Sequence, residues 1–83
     1  MRVVVTALAN RQFDELPTHV KDRMRRIFAR LARWPDISGA RPLRGPLVGQ
    51  FRMRTGDYRV QFQVEVDRIL VTRVGHRDGF YDD

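Results

Sequence analysis

Cysteine is absent from the sequence, which excludes disulfides and thiolate-bound metal. Histidine is scarce: His19 and His76 stand far apart, and such a pair predicts no metal centre. Asp and Glu do not cluster as a hard-cation site requires. Gly45, Gly49 and Gly56 match neither G-x-x-x-x-G-K nor G-x-G-x-x-G, and no Ser/His/Asp signature is present, so no nucleotide cradle and no small-molecule cofactor is expected. No apolar run approaches the roughly 20 residues of a membrane span. The opening Met1-Arg2-Val3-Val4-Val5 is too short for the apolar region of a secretory signal. The expected setting is the cytoplasm, away from membrane.

What the sequence does have is arginine. Sixteen basic residues oppose ten acidic ones, for a net charge of +6. All the basic residues except Lys21 are Arg. Arg keeps its charge at any physiological pH and presents a planar fork of donors that matches phosphate. A small basic chain of this kind predicts a polyanionic partner, nucleic acid first. At 83 residues, 42% hydrophobic and 31% charged, the composition is that of a globular chain. One domain spanning residues 1–83 is expected, with no repeat, linker or low-complexity segment.

The apolar period divides the chain into two halves. Arg2 to Thr6 reads as a short β-branched strand, and Thr6 is placed to cap a helix carrying Ala9, Phe13 and Leu16. Pro17 closes that helix and Thr18 is the expected cap of the next. Val20, Met24, Ile27, Phe28 and Leu31 form an amphipathic stripe. The other faces of this second helix carry Lys21, Arg23, Arg25, Arg26, Arg30 and Arg33 against Asp22 alone. Pro35 ends it, since the residue before proline resists helical geometry, and Trp34 is expected to fold back on the core edge. The two helices form a hairpin. Residues 36–49, rich in Gly and Pro, read as a loop anchored by Leu43 and Leu47.

Beyond residue 50 the period is two. Phe51, Met53 and Thr55 alternate with Arg52 and Arg54, while Tyr58, Val60, Phe62 and Val64 alternate with Arg59, Gln61, Gln63 and Glu65. Gly56-Asp57 between them reads as a two-residue, Gly-first hairpin loop. The predicted register sets Met53 opposite Val60, Phe51 opposite Phe62 and Arg54 opposite Arg59. A further turn near Val66-Asp67-Arg68 leads to a last strand, Ile69 to His76. A three-residue loop there puts Leu70, Thr72 and Val74 on the core face and Arg73 and Arg77 with Arg59; a two-residue loop reverses this. The fold class is α+β: an N-terminal strand, a helical hairpin, then a three-stranded antiparallel meander, in one mostly antiparallel sheet with both helices on one face.

The candidate chemistry lies on the other face. Arg52, Arg54 and Arg59 share it, and like charges opposite one another cost stability unless an anion lies between them. Water can also solvate such groups, as it does most exposed arginines. His76 and Tyr81 are the nearby groups able to exchange protons. His19, at a helix start, is expected to be exposed and inert.

Leu43-Arg44-Gly45-Pro46-Leu47, then Phe51 through Val60, then Arg73-Val74-Gly75-His76-Arg77 with Tyr81 beyond, resembles the RelE/ParE superfamily of toxins from bacterial toxin–antitoxin modules. The likeness extends to the opening strand, the Leu16-Pro17 corner and the Trp34-Pro35 helix end. The resemblance implies the same β-α-α-β-β-β fold. It implies an mRNA endonuclease acting on the ribosome (an mRNA interferase) or, in the ParE-like branch, a DNA gyrase inhibitor; a noncatalytic nucleic-acid-binding homologue is the third reading. Gly75-His76-Arg77 and Tyr81 resemble the RelE-like branch. By that resemblance Arg59, Arg77, Tyr81 and the adjacent His76 are the catalytic candidates and Arg52 and Arg54 hold substrate; the basic second helix reads either as a solvated face or as a nucleic-acid contact, through which Arg23, Arg26 and Arg30 would touch ribosomal RNA. Prototype members carry lysine where this chain has Arg52 and Arg54. Arginine does not give up its proton, so proton transfer falls to Tyr81 or His76. Ribosome, mRNA and a cognate antitoxin, acidic where it covers the Arg face, are the implied partners.

Overall fold

The computed structural model describes residues 1–80; Tyr81, Asp82 and Asp83 lie outside the described residues. The chain runs β1 (Arg2–Val5), α1 (Ala7–Asp14), α2 (Thr18–Leu31), β2 (Arg41–Pro42), β3 (Gln50–Thr55), β4 (Tyr58–Val64) and β5 (Arg68–His76). The strands form one sheet in the order β1-β5-β4-β3-β2. β1 lies parallel to β5 and the other pairs are antiparallel. This is the expected α+β architecture with one short edge strand added.

Thr6 caps α1, its hydroxyl accepting from the Ala9 amide at 3.1 Å. Thr18 does not cap α2. Pro17 occupies the cap in an extended conformation, and its carbonyl accepts from the Val20 and Lys21 amides, both at 2.9 Å. Proline's fixed φ supplies that geometry without a side-chain oxygen, so Thr18 is already helical. The stripe of α2 buries Val20, Met24, Ile27 and Leu31 against Met53, Val60, Phe62, Ile69, Val71 and Val74 of the sheet. Phe13 and Phe28, 6.0 Å apart, tie the two helices together. Trp34 closes the core edge with its ring 4.9 Å from Phe51 and 5.7 Å from Phe62.

Residues 36–49 are less of a loop than their composition predicts. Arg41 and Pro42 pair with Arg52 and Phe51, and the Leu43 amide donates to the Gln50 carbonyl at 2.9 Å. Leu43 is thereby drawn into the core. Leu47 is no anchor: the 3-10 turn Gly45–Leu47 carries it outward, and it is 39% exposed.

The β3–β4 register is the predicted one at every pair, from Thr55 opposite Tyr58 to Phe51 opposite Phe62. Gly56 has φ +59, and among the described residues no other type takes positive φ. The loop is therefore of the Gly-first type II′ kind. A Cβ at Gly56 would also lie 3.1 Å from Arg23 Nη1. Gly56→Ala should lower stability by about 1 kcal/mol or more, read as a lower urea midpoint with unchanged slope. An unchanged midpoint would contradict this turn.

The β4–β5 pairing resolves the two alternatives by containing both. Next to the loop, Val64 faces Ile69 and Phe62 faces Val71, the register of a two-residue loop over Val66-Asp67. A bulge between Gln61 and Phe62 then shifts the ladder so that Gln61 faces Arg73 and Val60 faces Val74. Thr72 is the extra residue, and its hydroxyl donates to the Gln61 carbonyl at 3.3 Å. Ile69, Val71 and Val74 consequently all reach the core, whereas Leu70 and Thr72, expected there with the longer loop, do not. An unbulged strand could not turn all three inward, because side-chain period two forbids it.

Candidate functional site

The sheet face away from the helices is built mainly by β3 and β4. Alternation places Arg52 and Arg54 on it from β3, and Arg59 and Gln61 from β4. Arg54 stands directly opposite Arg59, and Arg52 opposite Gln61. The edge strand adds Arg41 opposite Arg52, and β5 adds Arg73 opposite Gln61. Sequence reasoning missed Arg41. Nothing local could have found it, because the two-residue strand Arg41–Pro42 has no period to read.

Arg77 follows β5. Its amide donates to the Asp57 carbonyl at 2.7 Å, which fastens it beside the β3–β4 turn. Its guanidinium lies 3.8 Å from an Asp57 carboxylate oxygen and 3.9 Å from one of Asp78, contacts too long and exposed to neutralise it fully. The convergence of the four arginines has an electrostatic signature. The Arg59 guanidinium is held below its ordinary proton affinity, first by partial burial and then by the positive charges of Arg54, Arg52 and Arg77. Among the described residues, Arg59 Nη1 donates only to the Gly56 and Tyr58 carbonyls, both at 3.3 Å. Among the described residues, neither Arg54 nor Arg59 has a carboxylate within ion-pair distance. Such a cluster can hold a polyanion and stabilise charge that grows on it.

The structure does not bring every candidate to this face. His76 faces Tyr58 across the ladder, with ring centroids 5.2 Å apart. Both rings line a cleft of about 280 Å³ on the helix side, with Gln12, Glu15, Leu16 and Pro17. The His76 Nδ1 accepts from the Asp78 amide at 3.2 Å. It therefore lies across the sheet from the arginines. His19 is exposed. Tyr81 lies outside the described residues.

The helix arginines have separate settings. Arg23 reaches the Gly56 turn, Arg30 donates to the Ser38 carbonyl at 2.7 Å, and Arg26 is exposed. Arg73 stacks on Phe80, 4.2 Å from the ring centroid, and donates to the Gly79 carbonyl. Among the described residues, no helix is long and apolar enough to cross a membrane.

Residues 3–79 match the model of a family described as the ParE toxin of type II toxin–antitoxin systems. Solved structures share the fold. A chain of the toxin–antitoxin complex RelBE2 from Mycobacterium tuberculosis is 30% identical, with a TM-score of 0.80 over 92% of this chain and 90% of that one. The YoeB/ParE toxin from Agrobacterium tumefaciens is 19% identical, with a TM-score of 0.79 over 92% and 98%. A chain of the intact RelBE toxin–antitoxin complex from E. coli is 19% identical, with a TM-score of 0.77 over 90% and 94%. No curated protein matches the chain.

Proposed function

Because this chain belongs to the RelE/ParE superfamily of toxins from type II toxin–antitoxin systems, we propose that it is the toxin of such a pair and cuts mRNA on the ribosome, arresting translation in the cytoplasm. The observation that carries this reading is that Arg54 stands opposite Arg59, with Arg52 on the same sheet face and Arg77 fastened at the β3–β4 turn, a cluster suited to a phosphodiester.

The substrate's own 2′-oxygen attacks the adjacent phosphorus. The O2′–P bond forms, the P–O5′ bond breaks, and a 2′,3′-cyclic phosphate and a 5′-hydroxyl remain. Arg59 and Arg77 hold the non-bridging oxygens as negative charge accumulates on them. Arg52 and Arg54 grip the backbone and supply no base, since Arg keeps its proton. A proton must leave the 2′-hydroxyl and another must reach O5′. Of the two candidates, His76 stands on the helix side, so the reading assigns the transfer to Tyr81. Arg23, Arg26 and Arg30 serve as sequence-neutral contacts to ribosomal RNA. Similar chains occur in toxin–antitoxin complexes, and an antitoxin that covers the arginine face would be acidic there.

Inducing the protein in cells and mapping 5′ ends on transcripts tests the proposal. New ends confined to translated regions are expected, and they should vanish in Arg77→Ala combined with Tyr81→Phe. Undiminished cutting by that variant would remove the site assignment. If His76 carries the proton instead, His76→Gln rather than Tyr81→Phe is the variant that loses activity. The matching family carries the ParE name, and the ParE-like branch of the resemblance implies a second reading, inhibition of DNA gyrase. Loss of gyrase supercoiling with purified protein, and no cut transcripts, would select it.

A further inference from the structure

The arginine face does not stay cationic along its length. The sequence contains four glutamines. Gln12 accepts from the Val74 amide at 3.0 Å and so caps β5 on the helix side. The other three, Gln50, Gln61 and Gln63, share the open face: Gln50 faces Gln63 across β3 and β4, and Gln61 follows on the same side of β4. Gln61 lies between Arg52 on β3 and Arg73 on β5. Along β4 it is the next open-face residue after Arg59, roughly 7 Å on.

These amides are oriented. Gln61 Nε2 donates to Gln50 Oε1 at 2.6 Å, and Gln63 Nε2 donates to Glu65 Oε2 at 2.9 Å. All three positions are half-buried. With one N–H used, Gln61 keeps its carbonyl oxygen and a second N–H, while Gln50 keeps both of its own. An acceptor and donors thus stand side by side at the centre of the face. They are uncharged, where a chain this rich in arginine could have continued the phosphate grip.

We infer that Gln61, oriented by Gln50, reads the edge of a nucleobase belonging to the nucleotide whose phosphate the neighbouring arginines hold. A side-chain amide pairs in two-point fashion with adenine, accepting from N6–H and donating to a ring nitrogen. Single-stranded RNA exposes such edges, so adenine beside the held linkage is the preferred base. This inference rests on the nucleic-acid reading of the face proposed above, but not on cleavage.

Fluorescence anisotropy with the full chain and 2′-O-methyl oligonucleotides of A, C or U, which cannot be cut by 2′-attack, tests it. The wild type should bind the adenine oligomer about tenfold more tightly than the uracil one. Gln61→Ala should erase that preference, and Gln61→Glu, which offers only acceptors, should shift it toward cytosine. Arg54→Ala should weaken binding to all three alike and reduce its salt dependence. Thermal unfolding of each variant confirms that the fold is retained. Equal wild-type binding to the three oligomers, no binding at all, or a preference that survives Gln61→Ala would overturn the inference. A preference lost in Gln61→Ala without any mRNA cutting in cells upholds this strip and rejects the nuclease reading. Cut mRNA with no base preference in binding does the opposite.

Discussion

Arg59→Ala should reduce translation-dependent mRNA cleavage by about 10²–10³-fold, the usual cost of deleting one group that stabilises charge in a transition state. The same substitution should leave the fold as stable as before or raise its stability by a few tenths of a kcal/mol. The two effects share one cause. Arg59 stands opposite Arg54, and partial burial together with the surrounding positive charges weakens its hold on its own proton. Among the described residues it gives the fold in return two weak bonds, to the Gly56 and Tyr58 carbonyls. A side chain that burdens the free protein and serves a bound anion separates function from stability. Mapped 5′ ends read the first effect and a urea titration the second. Full cleavage by the variant would exclude Arg59 from the reaction, and a large loss of stability would mean that it is a structural residue.

Phe62→Ala should have the opposite profile, with a stability loss of about 3–5 kcal/mol. Phe62 is fully buried at the middle of β4. Its ring stacks on Phe51 at 5.7 Å and meets Trp34 edge-on at 5.7 Å. No buried polar group is available nearby to reshape the site around the missing ring, since every buried residue among those described is apolar. A chain of this length has roughly 4–12 kcal/mol in total, so much of the variant population should be unfolded at 37 °C. Circular dichroism across a urea series measures it. A loss below about 1 kcal/mol would show that the aromatic cluster is not the keystone of the core.

Much of the site could be read from the alternation of residues 51–64. A Gly-first loop fixes the pairing of the strands that flank it, and a one-residue slip would invert both faces at once. That is why Arg52, Arg54 and Arg59 could be assigned to one surface from their spacing. The helix stripe was equally plain, because five apolar residues at helical steps leave one way to bury them. Residues 69–71 gave no such guidance. Ile69, Leu70 and Val71 are apolar in succession, so either face could be the inner one. The two-residue loop decided that stretch, and the bulge at Thr72 then set the side on which His76 lies; carried straight through from the turn, the ladder would have put His76 among the arginines.

Apart from the short edge strand β2, the order of elements, the α+β class, the β3–β4 register and the shared face of three arginines were determined by the sequence itself, because each rests on local period and turn chemistry. The positions of Arg41, His76 and Arg77 were decided only by tertiary structure. Arg41 joins the sheet through a two-residue pairing, His76 is turned by an irregular ladder, and Arg77 is fastened by a carbonyl twenty residues earlier. None of these contacts leaves a repeating mark in the chain, since each depends on segments that meet only after the core has closed.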